Sequence, residues 1–248
     1  MTTNRIEDDW ESRHQTEQMK AVMGKEMNME EFWRSGEARY SEMIQPLFST
    51  YRTDIENMVV LEIGCGPGRI LRPFARRAKK AIGVDVSTTA IETIKNNLSE
   101  FNNVEFIKNN GDKLDAISDG TIDLVISFDV FQHMPSLEVQ VSYLKEISRV
   151  LKSNGLFVIQ VKSNSGWMKI GGVPVIPRRF RLAIPDMPFN IYLRMLGKRA
   201  QRLKDTWRGN LIEHKTIPHL FDKCGLRVDK TVPDGHGTRW ILAGQKSS

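Results

Sequence analysis

Val59-Val60-Leu61-Glu62-Ile63-Gly64-Cys65-Gly66-Pro67-Gly68-Arg69 is the stretch that decides the fold of this chain. Four of the five residues 59–63 are apolar. That is the composition of a strand buried on both faces, which has no polar side to alternate. The strand runs directly into three glycines spaced two apart. Glycine there allows a sharp turn and lets a ligand approach main-chain N–H groups with no Cβ in the way. Residues 69–78 then read as a helix, with Ile70, Leu71, Phe74 and Ala75 on its inner side. Strand, glycine turn and helix make the opening unit of an α/β nucleotide-binding domain.

The spacing narrows the ligand. G-x-G-x-G stands where a dinucleotide site has G-x-G-x-x-G, and Glu62 precedes it. A carboxylate beside the turn repels a pyrophosphate and suits a ligand carrying an ammonium or other positive group. The stretch resembles motif I of the class I S-adenosylmethionine (SAM) dependent methyltransferases of small-molecule type, written (V/L)LEIGCGxG. That resemblance implies a Rossmann-like α/β fold: a seven-stranded, mostly parallel sheet with helices on both faces. It also implies SAM as cofactor, with Glu62 at its amino end and Gly64, Cys65, Gly66, Gly68 and Arg69 around it. A tight turn in another α/β protein and an NAD site with a degenerate fingerprint are the competing readings.

The following segments extend the resemblance over 58–162. Residues 80–85 read as a second buried strand ending in Asp85, followed by Val86 and by Ser87 as a helix cap. An acid at that strand end accepts hydrogen bonds from ribose hydroxyls, and its charge strengthens them. Val104–Lys108 reads as a third strand, and by resemblance Gly111 and Asp112 lie near the adenine amine. Ile122 to Ile126 is another buried strand, running into Ser127-Phe128-Asp129-Val130-Phe131-Gln132-His133. This resembles motif IV and the S-x-x-V-x-x-H continuation of small-molecule methyltransferases, with Phe128 and Asp129 against the cofactor. His133 is the candidate general base, because a neutral imidazole can take a proton from an attacking hydroxyl near pH 7. A hydrogen-bonded structural histidine or a substrate contact are the alternatives, and His214 and His236 are other candidate bases. A helix from Pro135, a strand over 156–161, a helix over 215–224 and strands over 226–232 and 239–243 complete the expected order, with an antiparallel ending.

Two segments lie outside the resemblance in sequence. Residues 1–52 read as a helical cap, interrupted at Gly36, from which Trp33 and Arg34 could touch the cofactor or simply pack. Residues 53–248 form the main domain, with 163–210 as a lid inserted in it. The net charge of the whole chain is +6. Residues 1–57 hold seven Lys/Arg against twelve Asp/Glu, whereas 163–210 hold ten against two. The basic balance therefore belongs to the lid and to whatever it meets. An anionic acceptor, an anionic membrane surface and a merely solvated cover all stay open, as does a lipid-linked acceptor. The expected acceptor is a small molecule or glycan, methylated on a hydroxyl. Nucleic acid is disfavoured, because Ser127-Phe128-Asp129-Val130 replaces the N/D-P-P-Y/F used on base amines. A non-catalytic SAM-binding partner protein is the other class. Two cysteines, charged first residues and no long apolar run predict a cytoplasmic protein with no disulfide and no metal.

Overall fold

The computed structural model describes residues 4–23, 27–51, 53–164, 167–170, 173–177, 212–234 and 239–247. The apolar runs form strands where their composition places them: β1 (Val59–Ile63), β2 (Lys80–Asp85), β3 (Val104–Lys108) and β4 (Ile122–Ser127), while β5 (Leu151–Asn164) extends beyond the expected 156–161 at both ends. Two short strands, β6 (Trp167–Ile170) and β7 (Val173–Pro177), make a separate hairpin. β8 (Ile212–Glu213) pairs with the end of β5, and β9 (Leu226–Pro233) and β10 (Arg239–Lys246) follow. Seven strands lie in the order β3-β2-β1-β4-β5-β10-β9. The first five are parallel, while β10 runs antiparallel between β5 and β9. The order reverses between β1 and β4, which opens a crevice beyond their carboxyl ends.

Helices cover both faces. They are α1 (Asn4–Met23), α2 (Met29–Arg39), α3 (Gln45–Phe48), α4 (Leu71–Ala75), α5 (Thr88–Asn97), α6 (Leu137–Val150) and α7 (Ile217–Lys223). On one face α6 and α7 bury Leu144, Ile147, Ile217 and Phe221 with Leu61, Val125, Phe157 and Leu242 of the sheet. On the other, Tyr40, Ile44, Phe74 and Ile94 meet Val60, Leu124, Val158 and Ile241. Each such side chain contributes roughly 1.5–3 kcal/mol on burial. Ser87, as expected, caps α5 by accepting the Ala90 N–H at 3.0 Å.

Three local expectations need correction. The helix after the glycine turn is short: the Arg77 N–H closes on the Phe74 carbonyl three residues back, and the chain leaves α4 after Ala75. α6 starts at Leu137 rather than Pro135, because the Ser136 side chain takes the Val139 N–H as its cap. Gly36 does not interrupt the cap. α2 runs through it, and a Cβ there would lie 2.0 Å from the Arg69 carbonyl oxygen. The glycine lets the helix backbone lie directly on the turn of the quoted stretch. Of the lid expected over 163–210, the described residues include the end of β5 and the β6–β7 hairpin; His236 lies outside the described residues. Among the described residues no helix is long and apolar enough to cross a membrane.

Candidate active site

The glycine turn is built by its own backbone and by β2. Gly64, Gly66 and Gly68 have φ of 73°, 48° and 99°, the left-handed region that side chains disfavour. A Cβ on Gly64 would also sit 2.2 Å from Val130 Cγ2. The Gly64 and Cys65 N–H groups donate to the Val84 carbonyl at 2.7 and 3.1 Å. The Gly66 N–H donates to Asp85 Oδ2 at 2.9 Å, and the Ser87 N–H to Oδ1 at 3.0 Å. Asp85 is thereby held buried at the tip of β2, facing the turn. Each carboxylate oxygen has a second acceptor position for a ligand hydroxyl. Val86 beside it is half-buried. The Cys65 thiol is buried, and burial together with the Asp85 and Glu62 charges pushes its pKa well up, so it stays neutral.

Glu62 lies two residues before Gly64, paired in register with Gly83 on one side and Ile126 on the other. It is 2 % exposed, and Oε2 has no hydrogen-bond partner. Burial pushes its carboxyl well above the usual range; Arg69 opposes this and Asp85 adds to it. Arg69 is equally buried, with Nε unpartnered. Burial lowers its pKa, and the charge of Asp129 opposes that most strongly. A bare buried acceptor and a bare buried donor, each in the other's field, fit the ammonium and carboxylate of an amino-acid end.

Across the crevice, the chain leaves β4 through Phe128 and Asp129. Phe128 is buried, with the Arg39 guanidinium 5.7 Å over its ring. Asp129 has φ 60°, unusual for a residue with a side chain. Its conformation is held from several sides. Its N–H donates to Gln160 Oε1 at 2.8 Å. Oδ1 accepts from Arg239 Nη1 at 2.6 Å and Gln132 Nε2 at 3.1 Å, and Oδ2 accepts from Arg69 Nη2 at 3.4 Å. Gln160 in turn donates to Asp234, which also pairs with Arg39. His133 ends the single helical turn Phe131–His133. Its N–H donates to the Val130 carbonyl at 2.8 Å, and the Trp10 ring meets it edge-on at 5.3 Å.

The structure thus gathers Glu62, Gly64, Cys65, Gly66, Gly68, Arg69 and Asp85 on one side, and Asp129 and His133 on the other. Gly111 takes φ 84°, and the Asp112 carbonyl accepts the Ser142 hydroxyl at 2.9 Å. Trp33 and Arg34 go elsewhere. Trp33 lies against the Arg72 guanidinium, 4.8 Å away, and edge-on to Phe32, while Arg34 is exposed. The cap reaches the centre through Gly36 and Arg39 instead. Sequence reasoning also missed Trp10, Glu11, His14, Gln160, Asp234 and Arg239. The spacing of Trp10 and His14, one helical turn apart, was the only signal for the first group.

Residues 61–159 match the family described as a methyltransferase domain. The chain is 27 % identical over 169 residues to a ubiquinone biosynthesis O-methyltransferase of Mesorhizobium japonicum, covering 61 % of this chain and 67 % of that protein. It is 33 % identical over 135 residues to an uncharacterized protein of Rickettsia prowazekii, covering 52 % of each. It spans 49 % of a second ubiquinone biosynthesis O-methyltransferase, from Bartonella tribocorum. Among solved structures it resembles magnesium protoporphyrin IX methyltransferase from Synechocystis, crystallised with bound SAH. The TM-score is 0.65 at 15 % identity, over 98 % of this chain and 99 % of that one, a likeness of fold.

Proposed function

We propose that the chain is a class I SAM-dependent methyltransferase, a reading supported by the methyltransferase-domain match over residues 61–159, and that it transfers the methyl group of SAM to a hydroxyl of a small or medium-sized acceptor. The observation that carries this is the bare pair of Glu62 Oε2 and Arg69 Nε beside Asp85, at the point where the strand order reverses. Glu62 would hold the cofactor's ammonium, Arg69 its carboxylate and Asp85 its ribose hydroxyls. Bound there, SAM supplies a methyl group on a positively charged sulfur. The chain's own task is then to exclude water, orient the acceptor and remove its proton. His133 stands at the mouth of β4 for the last of these, with one face of its environment set by Trp10. Similarity to the ubiquinone biosynthesis O-methyltransferases supports oxygen as the nucleophile. A sugar, glycan or natural-product hydroxyl fits this reading. The excess of basic residues over 163–210 favours an acceptor with an anionic group, lipid-linked or free.

The test is to incubate purified protein with methyl-labelled SAM and a fractionated cell extract. Label in a small-molecule, glycan or lipid fraction, stable to mild base, is the expected outcome. Label in protein or nucleic acid overturns the acceptor class. Tight SAM binding with no label in any fraction favours a non-catalytic SAM-binding protein.

A further inference from the structure

The methyl-transfer reading uses only Trp10 of α1. It is tied down across the tips of β2 and β3. Glu11 accepts from the Ser87 hydroxyl at 2.8 Å, the Thr89 N–H at 3.2 Å and the Thr89 hydroxyl at 2.5 Å. Glu7 pairs with Lys108, at the end of β3, at 2.7 Å. Ser87 is the residue whose N–H holds Asp85, so Glu11 fixes α1 to the same loop that orients the ribose carboxylate. His14 follows Glu11 by three residues and so points from the same side of the helix. It is 3 % exposed, and its Nδ1 has no hydrogen-bond partner. The charges that bear on it are those of Asp85 and Glu11, and burial keeps the ring neutral against them. A buried polar atom without a partner calls for a specific explanation. Here it lies in the field of the one carboxylate already assigned to a sugar. Trp10, a turn earlier, touches His14 at 6.1 Å and His133 at 5.3 Å between ring centres.

We infer that α1 is a wall of the cofactor site and that His14 recognises the cofactor's ribose, exchanging a hydrogen bond with a ribose hydroxyl through Nδ1 beside Asp85. The inference rests on the SAM-binding reading above. With the hydroxyl hydrogens donated to Asp85, the neutral imidazole serves as its Nδ1–H tautomer, donating to a hydroxyl oxygen. Asp85 then accepts from both adjacent hydroxyls, and His14 gives one of them a second partner. Through Trp10 the same helix reaches His133.

The test measures binding of S-adenosylhomocysteine and of its 2′-deoxy and 3′-deoxy analogues to the full chain by calorimetry. His14→Ala should weaken S-adenosylhomocysteine about tenfold or more. The same substitution should cost less than twofold against the analogue that lacks the hydroxyl His14 touches. Equal losses against all three ligands would make His14 a packing residue and overturn the inference, as would unchanged affinity. Thermal melting checks that the variant is folded, and His14→Asn carries the same comparison should the alanine variant fail to fold. Wild-type protein that binds no S-adenosylhomocysteine would overturn the underlying reading. Normal wild-type binding with an unaffected His14→Ala would overturn the role of His14 alone.

Discussion

On the β1–β2 side of the crevice, Glu62 Oε2 and Arg69 Nε are buried with no hydrogen-bond partner. On the β4–β10 side, both oxygens of Asp129 and both of Asp234 receive donors, from Arg39, Arg69, Arg239, Gln132 and Gln160. Leaving a buried charged group bare costs more than closing it in a network. The first side leaves its charged groups for a ligand to complete, while on the second both carboxylates are met as folded, with Gln132 Oε1 left bare. Arg69 belongs to both, with one nitrogen on Asp129 and another bare. One half binds and the other keeps its shape.

Five substitutions separate the halves. His133→Ala, on the Asp129 side, should lower turnover by roughly 10²–10⁴-fold while leaving S-adenosylhomocysteine affinity nearly intact. Near-normal kinetics would pass the base role to another group. Asp234→Ala strips Arg39 and Gln160 of their shared acceptor and should destabilise the fold by about 3–5 kcal/mol in urea titrations. A loss under about 1 kcal/mol would mean that the closed side is no frame. Asp85→Ala should cost about 2–4 kcal/mol of cofactor binding by calorimetry, from two charge-assisted bonds; unchanged affinity would put the cofactor elsewhere. Gly36→Ala forces a Cβ onto the Arg69 carbonyl and should lower stability by about 1–3 kcal/mol, seen as an earlier melting transition.

Glu62→Gln gives the smallest change, and one of opposite sign in the unliganded protein. Burial raises the folded pKa of Glu62. Ionising it therefore disfavours folding progressively as pH rises from the unfolded value of about 4.3 through the folded one. The glutamine variant should melt higher than wild type at pH 7–8 and match it below about pH 4, while binding S-adenosylhomocysteine more weakly. A variant that is less stable at pH 7 would show that Glu62 is a structural residue rather than one waiting for a cation.

What could be read from the sequence was local. β1, β2 and β4 announce themselves because each is an apolar run ended by a glycine, an acid or a polar loop, and Asp85 follows from its place at such an end. Ser87 shows as a cap because hydroxyl capping needs three residues of context. The second half of the site needs the whole fold. Asp129 meets Arg239 and, through Gln160, Asp234 only because β10 enters the sheet beside β5. No spacing within 128–133 contains that. The cap was misread for a related reason. Gly36 looks like a break in an isolated helix, and its true use depends on a carbonyl 33 residues later in the chain. Trp33 is a large aromatic in the right region, yet the face that α2 turns inward is set by that close approach, which places Arg39 at the centre and Trp33 on Arg72.

The position of β10 has a consequence for how the molecule is made. During synthesis β5 and then β9 leave the ribosome before the strand that joins them. Until β10 arrives, β5 presents Phe157, Ile159 and Val161 along an edge with an open row of backbone donors and acceptors. The nascent chain therefore passes through a sticky interval, in which a second nascent copy could pair with that edge. The ionic frame of Asp129 and Arg239 closes in the same late event, so the β4–β10 side of the crevice forms after the β1–β2 side.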